Sequence, residues 1–181
     1  MALIKAGKLV RDRWRFLADD ESLPTKVSIV ISLERWLREQ SALLAWDAPL
    51  GIRLKAGQHP KAIAQHIERF ALIALEFPKF TDGRPYSYAR LVRQRYRYWG
   101  ELRATGQVLR DQLLFMHRCG FDAFEIVDSD VLAAWCAAFA EISVFYQRAA
   151  DRQPTVLELR HRRDPTGEGY TAPAQTKGTA A

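Results

Sequence analysis

Five short apolar runs, each followed by a segment of helical period, constrain this chain more than any other feature. The runs are KVSIVIS, PLGIRLK, LIALEF, GELRAT and DAFEIV. The segments after them are LERWLREQSALLAW, PKAIAQHIERF, YARLVRQRY, QVLRDQLLFMHRC and DVLAAWCAAFAEISVFYQ. A strand that is apolar on both faces belongs in a sheet covered by other layers. Two parallel neighbours need a crossover of a dozen or more residues, which is the spacing found here. The expectation is an α/β fold with a parallel sheet of about five βα units. Five units cannot close an eight-stranded barrel alone. A partial TIM-barrel-like sheet is therefore preferred, completed by a second chain in one version. An open doubly wound sheet is the alternative.

Local signals agree with this plan. Ser32 can cap the first helix, Pro60 suits the first turn of the second, and Ser87 can cap the third. Thr105 or Gly106 opens the fourth, which Gly120 ends as a left-handed cap. Asp128 or Ser129 caps the fifth. Before the first unit, residues 1–20 read as a β-hairpin arm turning at Ala6-Gly7-Lys8. Residues 1–153 are expected to form a single α/β domain. Residues 154–181 are expected to form a tail whose last part lacks order, with TVLELR as a candidate edge strand.

With 181 residues the chain can bury a core without disulfides or metals. Its two cysteines, Cys119 and Cys136, exclude a disulfide framework and a protein-held four-cysteine cluster. Both read as packed residues, Cys136 within the apolar LAAWCAAFA. The N-terminus lacks the apolar core of a signal peptide, and no run reaches the ~20 residues needed to span a bilayer, so the cytoplasm is the expected location. The formal charge is +6. Arginine dominates the basic set, which suits carboxylate, sulfate, phosphate or nucleic acid.

The polar residues gather where parallel α/β proteins bind ligands, at the carboxyl ends of the strands. The turn FPKFTDGRPYSYARL, residues 77–91, is far richer in polar groups than a turn requires. Asp82-Gly83 makes the turn. Thr81, Arg84, Ser87, Arg103, Thr105 and Arg110 are the candidate anion- or substrate-binding residues, aided by free backbone N–H groups. Asp82 or Glu101 is the candidate acid–base group. A structural network stands beside this reading, with Arg84 on Glu101 or Arg103 on Asp82. Histidines 59, 66, 117 and 161 are dispersed, so no metal site is expected. There is no dinucleotide fingerprint, phosphate loop or nucleophile elbow, so no cofactor is encoded by motif. RQRYRYW, Arg93 to Trp99, interleaves arginine with aromatics as single-strand nucleic-acid binders do, although a solvated helix end is the favoured explanation.

FTDGR, GELRA, VLRDQ and RCGFDAFE together resemble a bacterial family called domain of unknown function 934. The resemblance is dense from Leu72 to Glu125 and looser across most of the chain. Pro85 stands where the family often has Gly, and Gln107 where it often has Asp. Members often lie beside genes for sulfite reductase and phosphoadenylylsulfate reductase, and often carry a name making them oxidoreductases of sulfite reduction. The resemblance thus implies an accessory protein of assimilatory sulfate and sulfite reduction that binds an oxyanion or a reductase partner. Sulfite reductase and phosphoadenylylsulfate reductase are the expected partners, and a homo-oligomer is a further option. An enzyme acting on an anionic substrate is the second reading, and single-strand nucleic-acid binding the third and least favoured.

Overall fold

The computed structural model describes residues 2–127, 130–151 and 153–161. Eight strands form one sheet: β1 (Ala2–Lys5), β2 (Lys8–Val10), β3 (Arg15–Phe16), β4 (Ile29–Ser32), β5 (Leu50–Leu54), β6 (Phe70–Phe77), β7 (Glu101–Gly106) and β8 (Ala123–Ile126). The order is β2-β1-β8-β7-β6-β5-β4-β3. From β3 to β8 every neighbouring pair is parallel. β1 pairs antiparallel with both β8 and β2. The N-terminal hairpin therefore turns where expected, at Ala6 and Gly7 with φ of 49° and 73°. It continues the sheet beyond β8 instead of standing apart as an arm.

The parallel strands lie in sequence order without a reversal, which is not the order of a doubly wound sheet. Right-handed crossovers that always step the same way put their helices on one face. The packing agrees: Ile31, Ile52, Ile73, Leu75, Phe77, Leu102 and Phe124 share a core with Trp36, Ile63, Ala89, Leu113 and Met116 from the connecting segments. The sheet is curled into an open half-barrel. Chain connectivity requires this. Eight strands laid flat would hold their outer members about 34 Å apart. Residues 11–14 join Val10 of β2 to Arg15 of β3, the two outer strands. That link reaches at most about 18 Å.

Several local expectations hold. Ser32 accepts a hydrogen bond from Arg35 N and caps α1 (Leu33–Leu44), Pro60 opens its helical turn, and Gly120 ends α3 (Leu113–Cys119) at φ 112°. Others change. Residues 60–69 form a 3₁₀ helix with a break at His66, not an α-helix. α2 (Arg84–Arg90) has Gly83 as its N-cap, so Ser87 lies inside it and caps nothing. Pro85 occupies its first turn, where a missing N–H costs nothing. A π turn, Leu91–Arg95, follows. A 3₁₀ turn at Arg110–Gln112 precedes α3, so neither Thr105 nor Gly106 caps it. Asp128 and Ser129 lie outside the described residues; Asp130 caps α4 (Val131–Ala140), its carboxylate accepting from Ala133 N. Cys136 is exposed on α4, while Cys119 is buried.

The described chain divides into two compact units: residues up to 143 with 149–151, and residues 144–148 with 153–161. In the smaller unit TVLELR is helical, not an edge strand: α5 spans Val156–His161. The reason is a capping box. Thr155 Oγ1 accepts from Glu158 N at 3.3 Å, and Glu158 Oε2 accepts from Thr155 N at 2.8 Å. Most of the expected tail lies outside the described residues.

Candidate functional site

The inner face of the half-barrel follows from register. Ser32, Arg53, Ala74, Arg103, Ala123 and Lys5 are successive partners across β4, β5, β6, β7, β8 and β1, so all six side chains point to the same face. Two residues along each strand the same face recurs, which adds Glu101 and Thr105 on β7, Glu76 on β6 and Glu125 on β8. Trp14 covers Val30, Leu72 and Ala74 on this face. Residues 11–14 thus form a strap across the inner face.

Arg103 is the centre of this face and is fully buried. Its Nε donates to Glu101 Oε1 at 2.9 Å. Nη1 donates to Asp12 Oδ2 at 2.7 Å and Glu125 Oε1 at 3.0 Å. Nη2 donates to Asp12 Oδ1 at 3.2 Å and Glu101 Oε1 at 2.7 Å. All five N–H donors of the guanidinium are therefore engaged. Burial works against the guanidinium charge, but the carboxylates outweigh it and hold the Arg103 pKa above its ordinary value. Glu101 Oε2 accepts from Lys5 Nζ at 2.8 Å, so both Glu101 oxygens have cationic partners. Arg53 and Glu76 form a looser pair at 3.9 Å, and the Arg53 guanidinium lies 6.0 Å from the centre of the Phe16 ring.

Two carboxylates of this cluster are driven apart. Burial would raise Asp12, but hydrogen bonds from Arg103 and from the backbone of its own turn pull its pKa below the usual carboxylate range. Burial dominates at Glu125 and pushes it up, against the pull of Arg103. Both line a cleft of about 510 Å³, with Arg11 the other charged group in its lining. Leu3, Leu9, Val10 and Phe16 supply much of its apolar wall. Among the described residues no three His, Cys, Asp or Glu side chains are placed to hold a metal ion.

The expected site residues separate into two places. Glu101, Arg103 and Thr105 are on the inner face. Thr105 is buried, its hydroxyl directed to Leu75 O at 3.5 Å. Thr81, Asp82, Arg84, Ser87 and Arg110 belong to the loops and first turns beyond β6 and β7, where Thr81, Arg84, Ser87 and Arg110 are exposed. Asp82 and Arg84 pair with each other: Nε donates to Oδ1 at 3.0 Å and Nη2 to Oδ2 at 2.6 Å. Those bonds hold the Asp82 carboxyl below its ordinary pKa. Neither sequence-level alternative, Arg84 on Glu101 or Arg103 on Asp82, is the pairing found.

The two loops are braced together. Gln107 Oε1 accepts from Phe80 N at 3.2 Å, and Gln112 Nε2 donates to Phe80 O at 2.9 Å. Around this brace Phe80, Leu109 and Phe115 are 49%, 40% and 58% exposed. Phe115 leans on Tyr86, their ring centres 4.9 Å apart. Burial pushes the Tyr86 hydroxyl up to about 12, so it stays protonated at neutral pH.

RQRYRYW is divided in its roles. Arg93 donates to the carbonyls of Gly120, Tyr98 and Gly100, each at 2.8 Å, and to Asp122 Oδ2 at 2.8 Å. Tyr98 is buried. Arg95 and Arg97 are exposed.

Sequence reasoning missed Asp12 as a member of the Arg103 cluster, because 91 residues separate the two. Glu125 was recognisable only as a strand-end acid. A usable signal was present nonetheless: Glu101, Arg103 and Thr105 alternate with apolar Leu102 and Ala104. In a buried strand such alternation marks a polar inner face.

No helix among the described residues is long and apolar enough to cross a membrane. No curated protein and no solved structure matches the chain. The model of one family, described as "Bacterial protein of unknown function (DUF934)", matches residues 51–157. That span takes in β5 to β8 and most of the braced loops, and it is more than half of the chain. The chain belongs to the DUF934 family.

Proposed function

We propose that this chain is an accessory protein of assimilatory sulfate and sulfite reduction, which docks through its braced loop edge onto a reductase with an acidic surface. The carrying observation is that edge, whose loops and first helical turns expose Phe80, Leu109 and Phe115 together with Arg84 and Arg110. Aromatic residues and arginines are the types that anchor protein interfaces. The two hydrogen bonds that hold Phe80 to the neighbouring loop reduce the ordering cost of docking. A protein partner suits this edge better than a bare oxyanion, since Nε and Nη2 of Arg84 already serve Asp82. The pathway rests on the sulfite-reduction context implied by the family resemblance.

The test is calorimetry with the host's own sulfite reductase and phosphoadenylylsulfate reductase, with sulfite and sulfate titrated in parallel. Binding to one reductase should weaken about tenfold or more in Phe80→Ala, the loss expected for an interface anchor. It should also weaken with added salt, and less steeply so in Arg110→Ala. Absence of binding to both reductases removes the docking reading. Sulfite binding lost in Arg110→Ala would replace it with the oxyanion one.

A further inference from the structure

The inner-face cleft plays no part in loop-edge docking, and its chemistry is of another kind. Leu9 and Phe16 line it while 57% and 40% exposed. They come from opposite edges of the sheet, brought together by the curl. Asp12 and Glu125 form its polar end. A concave site of this size, mostly apolar with a few convergent polar groups, is the usual form of a small-molecule pocket.

Hydrogen-bond valence decides what the polar end can receive. Arg103 has no N–H left to offer, since all five are engaged. Glu125 Oε1 accepts from Arg103, whereas Glu125 Oε2 has no partner among the described residues. Three carboxylates face two cations, Arg103 and Lys5, leaving one negative charge over. Arg53 also acts on Glu125, but it comes with Glu76, 3.9 Å away, and the two together add no net charge. Spare acceptors and spare negative charge call for a donor carrying positive charge. Arg11 also lines the cleft and is exposed, with no partner among the described residues, so it can extend into solvent.

We propose that the cleft binds a small primary amine carried on an apolar body, its ammonium donating to Glu125 and Asp12 and its hydrocarbon lying between Leu9 and Phe16. This stands independently of the loop-edge reading. Three probes of matched shape test it: 2-phenylethylamine, 2-phenylethanol and phenylacetate. Each is titrated into the full chain and followed by NMR at the methyl groups of Leu3, Leu9 and Val10. The amine should bind at least about tenfold more tightly than phenylacetate, a difference of about 1.4 kcal/mol, and more tightly than the alcohol. Glu125→Gln should remove most of that advantage. Leu9→Arg, at an exposed wall position outside the Arg103 cluster, should abolish amine binding while the protein stays folded. The proposal is overturned if the alcohol or phenylacetate binds as tightly as the amine. It is equally overturned if millimolar amine shifts none of the three residues' methyls, or if Leu9→Arg binds the amine unchanged.

Discussion

Replacing Arg103 by methionine tests the inner-face cluster most directly. Methionine keeps an unbranched, adaptable side chain but removes the guanidinium. Five hydrogen bonds disappear, and three carboxylates are left facing one another. Breaking a buried ion pair by removing one partner costs about 3–5 kcal/mol, because the remaining charge stays uncompensated. Two carboxylates have a refuge. Asp12, with its side chain 35% exposed, can turn to water, and Glu101 keeps Lys5. Glu125 has neither, its side chain being 16% exposed. The expected loss is therefore at the lower end, about 3 kcal/mol near neutral pH, or a fall of roughly 6–12 °C in Tm for a chain of this size. Without the cation nothing of equal strength opposes burial at Glu125, so its folded-state pKa rises further above its unfolded value. The variant's stability should then fall as pH rises through those values, so its deficit should shrink on acidification. Urea unfolding of wild type, Arg103→Met and Arg103→Met/Glu125→Gln between about pH 5 and 8 measures this. The double variant should regain part of the loss at the upper pH. A loss below about 1 kcal/mol, a deficit that ignores pH, or no recovery in the double variant would refute the reasoning.

Four further outcomes are expected. Glu125 binds its proton more tightly folded than unfolded, so wild-type stability should fall as pH rises from the ordinary glutamate value through the raised one; Glu125→Gln should lack that slope in denaturant titrations. Asp12 has the opposite sign: its contribution is complete above the ordinary aspartate value and is lost as pH falls through the depressed one, an acid limb that Asp12→Asn should remove. Gly106→Ala should destabilise by more than about 2 kcal/mol in thermal melts, since φ there is 88° and a Cβ would lie 2.4 Å from Phe77 O. Arg93→Ala should destabilise by about 2–4 kcal/mol by unfolding three carbonyls and a carboxylate from their shared donor, whereas Arg95→Ala/Arg97→Ala should leave stability unchanged; salt-dependent binding of single strands that this double variant abolishes would restore the nucleic-acid reading.

Much of the local architecture was legible because its causes are local. Ser32, Pro60 and Gly120 act within a few residues of themselves, and the apolar runs that became β4 to β8 are short-range patterns. Legibility failed where two local signals competed. TVLELR has the composition of a strand, yet its Thr155-x-x-Glu158 spacing closes a capping box, and the hydrogen bonds won. Cys136 sits in an apolar string, but α4 is apolar on nearly every side, so periodicity did not identify the face that is buried. Ser87 has the side chain of a cap, but the helix begins earlier, at Arg84 directly after the Asp82-Gly83 turn, with Pro85 in its first turn.

The sequence by itself determined that strands would alternate with helical segments, that those strands would lie parallel, and that Glu101 and Arg103, two residues apart on one strand, would share a side of it. Only the tertiary structure decided strand order, and with it the half-barrel. Order depends on which strands pair, which is a property of contacts far apart along the chain. Once the sheet curled, a strap of four residues reached across it. Asp12 met Arg103, Leu9 met Phe16 over one cleft, and the polar loops formed a separate edge. A guanidinium that sequence alone offered to a ligand is instead saturated by the protein's own carboxylates, because curvature brings together charges that no spacing in the chain relates.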